Sequence, residues 1–204
     1  EKKCRSVLFA GKIDKPKILN IKLDLKGIYY FPRIVKASKL GDASILKELI
    51  KILKENKIKV IKSNFFNPEL TLQKGNYSNL KPNKLDSISI KRGINSLNNL
   101  NPHNHVQGLI IKNNTVIKKE TLKGTKKMLQ SIDTVKNSGG ILIKFPKKKQ
   151  DLRADLPTIG LDTLKDCKKA KLKGIVLKSN QNIFMNKNMC IKFANKNKIF
   201  IKVI

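Results

Sequence analysis

The run Gln150-Asp151-Leu152-Arg153-Ala154-Asp155-Leu156-Pro157-Thr158-Ile159-Gly160 concentrates groups able to handle phosphate. The chain holds 14 acidic residues against 45 basic ones, and two of the acids flank Arg153 here. Side chains alternate along an extended segment, so Asp151, Arg153 and Asp155 are expected on one face. Carboxylates hold Mg²⁺, a hard cation that prefers oxygen ligands. The metal neutralises phosphate charge and lowers the pKa of a bound water. A guanidinium grips phosphate through two parallel N–H bonds. Pro157 and Gly160 predict a rigid turn that leaves Thr158 and nearby amides free to meet phosphate oxygens. The set suits hydrolysis of a pyrophosphate. It equally suits an exposed Asp-Arg-Asp salt-bridge ladder worth roughly 0–1 kcal/mol, and spacing alone leaves both readings open.

The elements that must position this run are α and β in alternation. Val7 to Ala10 reads as a buried strand that ends at Gly11. Gly41-Asp42 opens a helix, with Asp42 as the expected N-cap. Ile45, Leu46, Leu49, Ile50 and Leu53 give that helix one apolar face, and Asn56 is its expected stop. Lys57 to Ile61 reads as a short strand. Residues 67–83, with two prolines, a glycine and several Asn, read as a linker. Asp86 is expected to cap a helix carrying Ile90, Ile94 and Leu97. Val106 to Ile111 and Thr115 to Ile117 predict a hairpin about Asn113-Asn114, which tolerate positive φ. A helix is expected over Thr125 to Asn137, ended by Ser138-Gly139-Gly140. Ile141 to Lys144 is a predicted strand, and Leu161 to Leu172 a helix. Strands are expected at Gly174 to Leu177 and Ile183 to Met185, a helix at Asn188 to Asn195, and a last strand at Ile199 to Ile204. Such alternation predicts an α/β fold.

Length and composition bound the rest. The chain's 204 residues, 40% of them hydrophobic, can bury a core in one large or two small domains. No apolar run of about 18 residues is present, so no transmembrane helix is expected. The chain opens Glu1-Lys2-Lys3-Cys4 without a Met, as a fragment or trimmed chain would, and a sheet begun this way is expected to expose edges and associate. The formal charge of +31 fits a nucleic-acid partner. Against that, only Arg5, Arg33, Arg92 and Arg153 are arginines, and the lysines are dispersed. Lys, Asn and Ile are abundant together, as AT-rich codons would make them, so no specific nucleic acid is expected. Cys4, Cys167 and Cys190 are far apart and odd in number, which predicts reduced thiols and no zinc site. His103 and His105, in Asn-Pro-His-Asn-His, read as a polar turn better than as metal ligands.

Lys144 followed by Gln150 to Gly160 is similar to a motif of the LpxI family, in which a Lys-bearing strand leads into Gln-Asp-x-Arg-x-Asp-x-Pro-Thr-Ile-Gly. Shorter segments resemble the family in the same order: Ala10-Gly11-Lys12 with Lys15-Pro16, Gly41-Asp42, Leu70 to Gly75, Gln107, and Glu120 with Gly124-Thr125 and Met128-Leu129. The resemblance implies part of a Rossmann-like N-terminal domain with its linker over residues 1–80. It implies a complete mixed α/β catalytic domain over 81–204, and an active site between the two. It also implies Mg²⁺-dependent hydrolysis of UDP-2,3-diacylglucosamine to UMP and 2,3-diacylglucosamine 1-phosphate, within lipid A synthesis in a Gram-negative bacterium. Asp155 and Asp151 would be the catalytic and metal-binding carboxylates. Arg153, Lys144, Gln150, Thr158, Thr125, Gln107 and Glu120 would bind substrate. The protein would be cytoplasmic, peripheral to the inner membrane, and a candidate homodimer. Departures from the family pattern are Lys123 and Lys126 in place of acids, Lys148-Lys149 for Pro-Gly, Asn104 for Asp, and Val106 where Gly is usual. An inactive homologue that binds UDP-lipid is the alternative these departures raise.

Overall fold

A computed structural model describes residues 4–11, 22–100, 106–147 and 150–204. Lys12, Lys15, Pro16, His103, Asn104, His105, Lys148 and Lys149 lie outside the described residues. The fold is mixed α/β, and its described residues hold six α-helices and form two units. One holds residues 1–66 with 150–155, and the other holds 67–149 with 156–204. Segment 150–155, expected with the catalytic domain, therefore clusters with the N-terminal elements.

In the first unit β1 (Ser6–Leu8) pairs in parallel with β2 (Lys59–Ile61). Between them in sequence run α1 (Leu25–Ser38) and α2 (Asp42–Glu55). β1 was expected to be buried, yet Val7 and Leu8 are only half-buried, because β2 is the one described strand beside them. Sequence periodicity singled out nothing over α1, which holds Pro32 in its interior. Asp24 caps it, accepting from the Gly27 amide at 2.7 Å. Arg33 ties α1 to α2 by bonding both Glu48 and Glu55. Asp42 is the first helical residue of α2, and Gly41 takes the cap position with φ 99°. Asn56 ends the helix as expected, its side-chain amide donating to the Ile52 carbonyl.

The second unit is built on a six-stranded sheet. Its strands are β3 (Gly75–Asn76), β4 (Gly108–Lys112), β5 (Thr115–Lys119), β6 (Ile141–Lys144), β8 (Gly174–Leu177) and β10 (Phe200–Val203), in the order β3-β10-β8-β6-β4-β5. β6, β8 and β10 are parallel neighbours, and β3, β4 and β5 are antiparallel additions. The expected linker 67–83 thus contributes an edge strand, paired through Lys202 and Val203. Its prolines and asparagines mark turns on either side of that strand, not a free tether.

β6 is buried along its whole length, as a central strand covered on both faces must be. α3 (Lys84–Leu100) packs Ile90 and Leu97 against Leu109, Ile111, Ile141 and Ile143 on one face. On the other face Met128 and Leu129 of α4 (Gly124–Gln130), Leu164 and Cys167 of α5 (Leu161–Lys169), and Cys190 and Ala194 of α6 (Lys187–Lys196) meet Ile110, Leu142 and Ile175. A pair of short parallel strands, β7 (Thr158–Ile159) and β9 (Ile183–Phe184), completes the unit. Asn113 and Asn114 turn the β4–β5 hairpin at φ 46° and 63°. α3 starts at a reciprocal cap in which Asn83 and Asp86 bond each other's backbone amides. α4 is shorter than expected, because Asp133 accepts from the amides of Val135 and Lys136 and offers the backbone a turn in place of the helix.

Gly174 packs against the ring of Phe200, and an added Cβ would overlap the ring's Cδ2, Cε2 and Cζ carbons. Gly174→Ala is expected to destabilise the protein by about 1–3 kcal/mol through overpacking, measured as a lower denaturant midpoint at unchanged slope.

Candidate functional site

Parallel strands present their carboxyl ends to ligands. Lys144 is the last residue of β6, opposite Gly108 at the start of β4 and beside Leu177 at the end of β8. Lys144 is 8% exposed, with its side chain on the strand face that Leu142 shares and that α4 and α5 cover. Lys144 Nζ donates to Thr125 Oγ1 from the first turn of α4. The Thr125 hydroxyl in turn donates to Glu120 Oε1 at 2.7 Å. Glu120 follows β5, is 6% exposed, and accepts from the Gln107 amide through Oε2 at 3.2 Å. A Cβ on Gly108 would stand 3.3 Å from Glu120 Oε2 and 3.4 Å from the Ile143 carbonyl. The missing side chain leaves the carboxylate its space.

Lys144, Thr125, Glu120 and the backbone of Gln107, four expected site positions, are therefore one hydrogen-bonded cluster. Burial holds the Lys144 pKa below the ordinary lysine value, and the Glu120 charge partly opposes that shift. Asn182, which no sequence pattern singled out, belongs to the same framework. It is 2% exposed, donates to the Lys144 carbonyl at 3.2 Å and accepts from the Lys178 amide at 3.0 Å. In an Asn-rich chain nothing local marks it, since its role depends on a contact 38 positions away. Thr158 sits exposed at the start of β7, its hydroxyl directed to the Leu156 carbonyl.

The run 150–155 is not extended. The Asp155 and Ala154 amides both donate to the Asp151 carbonyl, at 2.9 and 3.1 Å, so the segment closes one helical turn. Alternation no longer holds there. Arg153 reaches back to Asp151 instead, with Nε at 3.0 Å from Oδ1 and Nη2 at 2.7 Å from Oδ2. The Arg153 amide adds a third bond to Oδ1 at 3.0 Å. These bonds hold the Asp151 carboxyl below its ordinary range and raise the Arg153 guanidinium. Asp155, half-buried in the same turn, has no ion pair or side-chain hydrogen bond among the described residues. Gln150 is half-buried at the start of the segment. The Ser63 amide donates to the Arg153 carbonyl at 2.7 Å. Arg153 also borders a groove of about 310 Å³ with Ile50, Lys54, Lys57, Ile58, Lys59 and Val60.

The donor set bears on the metal implied by the resemblance. Both Asp151 oxygens are engaged by Arg153, and Asp155 alone of the two keeps its oxygens open. Among the described residues no three His, Cys, Asp or Glu cluster as ligands. Mg²⁺ needs only one or two carboxylates when phosphates and waters supply its other ligands, and Asp155 fits that arrangement.

Comparison with known proteins divides the chain near residue 70 and keeps segment 150–155 with the C-terminal part. Residues 1–70 match the LpxI N-terminal domain model, and residues 73–202 match the LpxI C-terminal domain model. A Caulobacter vibrioides protein named UDP-2,3-diacylglucosamine pyrophosphatase LpxI is 24% identical over 206 residues. That similarity covers 97% of this chain and 74% of the Caulobacter protein.

With its pKa depressed in the fold, Asp151 contributes stability above its unfolded pKa, and that contribution is lost as pH falls through the folded value. Arg153→Ala is expected to move the Asp151 titration up toward the ordinary carboxylate range, followed through its side-chain carboxyl carbon by NMR. The accompanying loss of stability near neutral pH is expected to stay below about 1 kcal/mol for so exposed a pair.

Proposed function

The chain belongs to the LpxI family, and on that premise we propose that it hydrolyses the pyrophosphate of UDP-2,3-diacylglucosamine to UMP and 2,3-diacylglucosamine 1-phosphate, as a step of lipid A synthesis. The name of the Caulobacter relative supports the substrate. Lys144 carries the chemistry: it is a buried cation at the carboxyl end of β6, a parallel neighbour of β8, where an anionic oxygen can meet it without bulk water between.

Each residue then has a task suited to its surroundings. Lys144 offers N–H donors to a phosphate oxygen. Arg153 is held by Asp151 through Nε and one Nη2 bond, which leaves three guanidinium hydrogens open to an anion. Asp155 keeps its oxygens open and is the carboxylate for Mg²⁺ or for orienting water, with Asp151 as the second candidate. Mg²⁺, when bound, supplies neutralisation of the pyrophosphate charge and a lowered pKa for its water. Gln150, Gln107 and Thr158 complete the substrate contacts in this reading.

The parallel β1–β2 pair, with α1 and α2 between its strands in sequence, supports reading residues 1–80 as part of a Rossmann-like domain. A diacylated substrate places the reaction at a membrane surface, with the protein cytoplasmic, peripheral and able to pair with a second copy. No helix among the described residues is long and apolar enough to cross a membrane.

UMP release from UDP-2,3-diacylglucosamine tests the proposal. Release is expected to require Mg²⁺, to stop with EDTA, and to fall by about a hundredfold or more in Asp155→Ala. Full turnover by Asp155→Ala would remove Asp155 from its role. A folded protein that binds the UDP-lipid and never releases UMP would identify an inactive homologue.

A further inference from the structure

An ammonium carries three protons and has no acceptor capacity. One Lys144 proton goes to Thr125 Oγ1, and no other described atom accepts from Nζ. A buried cation with open donors is costly unless something fills them. Its two partners differ from it in this respect. The Thr125 hydroxyl accepts from Lys144, and its single hydrogen is committed to Glu120. Glu120 receives Thr125 on one oxygen and the Gln107 amide on the other. Both side chains lie at least as deep as Lys144.

From this direction of donation we propose that Glu120 and Thr125 are positioning residues that do not touch substrate. They fix and charge-balance Lys144, whose remaining N–H donors take a phosphate oxygen. The inference deepens the site described above and rests on the proposed function for its ligand class. It departs from the expectation that Thr125 and Glu120 bind substrate themselves.

The electrostatics of the neighbourhood agree. The groups that act on the Lys144 charge are Glu120 at the end of β5, the Cys167 thiol on α5, and Lys147 just past β6. Burial pushes the Cys167 thiol up to about 12, so it is neutral at physiological pH. Lys147 opposes a charge on Lys144. Among the described residues Glu120 is left as the one anion keeping Lys144 protonated. Removing its charge lowers the Lys144 pKa further, so the ammonium is lost at alkaline pH and regained on acidification. A residue that only supports packing gives no such recovery.

Binding of inorganic pyrophosphate to the full chain, by calorimetry at about 0.3 M salt to screen the exposed lysines, reads this without turnover. Lys144→Met is expected to lose affinity at both acid and alkaline pH. Glu120→Gln is expected to bind about tenfold more weakly at alkaline pH and to recover on acidification, each pKa unit of lost protonation corresponding to tenfold. Thr125→Val is expected to follow Glu120→Gln, and Thr125→Ser to bind as the parent protein does. The Thr125 pair carries the test if Glu120→Gln fails to fold. Equal loss at both pH values in Glu120→Gln or Thr125→Val overturns the positioning role, as does unchanged binding in Lys144→Met. The expected pattern without UMP release would keep this inference and remove the proposed reaction.

Discussion

A lysine at the end of a central strand is a difficult thing to bury. Desolvation disfavours its charge by several kcal/mol unless a carboxylate and hydrogen bonds compensate, and the neighbourhood of Lys144 is arranged around that requirement. Glu120 is brought to it by the β4–β5 hairpin, which returns the chain to the level where β4 began. Thr125 arrives on the first turn of α4 and bridges the two charges. Gly108 leaves the space that the carboxylate fills. Asn182 holds the Lys144 backbone from the far side of the sheet order, through a loop that follows β8. Removing any one of these leaves an imperfectly satisfied polar group inside a packed core, where partial satisfaction is worse than none.

The sheet makes the arrangement possible. Its parallel core of β10, β8 and β6 aligns carboxyl ends at one edge, and the antiparallel β4 and β5 bring a strand start and a strand end to that same edge. Two apolar layers, with α3 on one face and α4, α5 and α6 on the other, exclude water from both sides of β6. The low dielectric that results makes the Lys144 charge expensive to hold and also effective toward an anion. The Asp151–Arg153 turn is a contrasting solution. Its ion pair is partly exposed and contributes little stability. What it does is orient: the carboxylate holds the guanidinium in place by two parallel bonds while its other hydrogens stay open.

Much of the fold was legible in the residues because local physics fixes it. Apolar periodicity located α2, α5, α6, β6, β8 and β10, and Asn113-Asn114 located the hairpin. The errors came where a local rule had a competitor. Alternation failed over 150–155 because backbone bonds to the Asp151 carbonyl closed a turn. Residues 67–83 have a linker's composition, yet Gly75 and Asn76 found a sheet edge at β10. α4 stopped early because the Asp133 side chain competes for the next amides.

By itself the sequence determined which groups were available for chemistry: residue type and spacing singled out the Asp-Arg-Asp run, and resemblance to the LpxI family singled out Lys144, Glu120, Thr125 and Gln107. It could not say which of these would touch. Contact among Lys144, Glu120 and Thr125 depends on strand order and register, which are set by long-range packing and not by neighbours along the chain. The same holds for Asn182, whose hydrogen bond to the Lys144 carbonyl joins residues 38 positions apart. Only the tertiary structure decided that Asp151 engages Arg153, that Asp155 keeps its oxygens open, and that a buried hydroxyl links a cation to its balancing carboxylate. Hydrogen bonds have direction and reach of only about 3 Å, and sequence spacing carries neither.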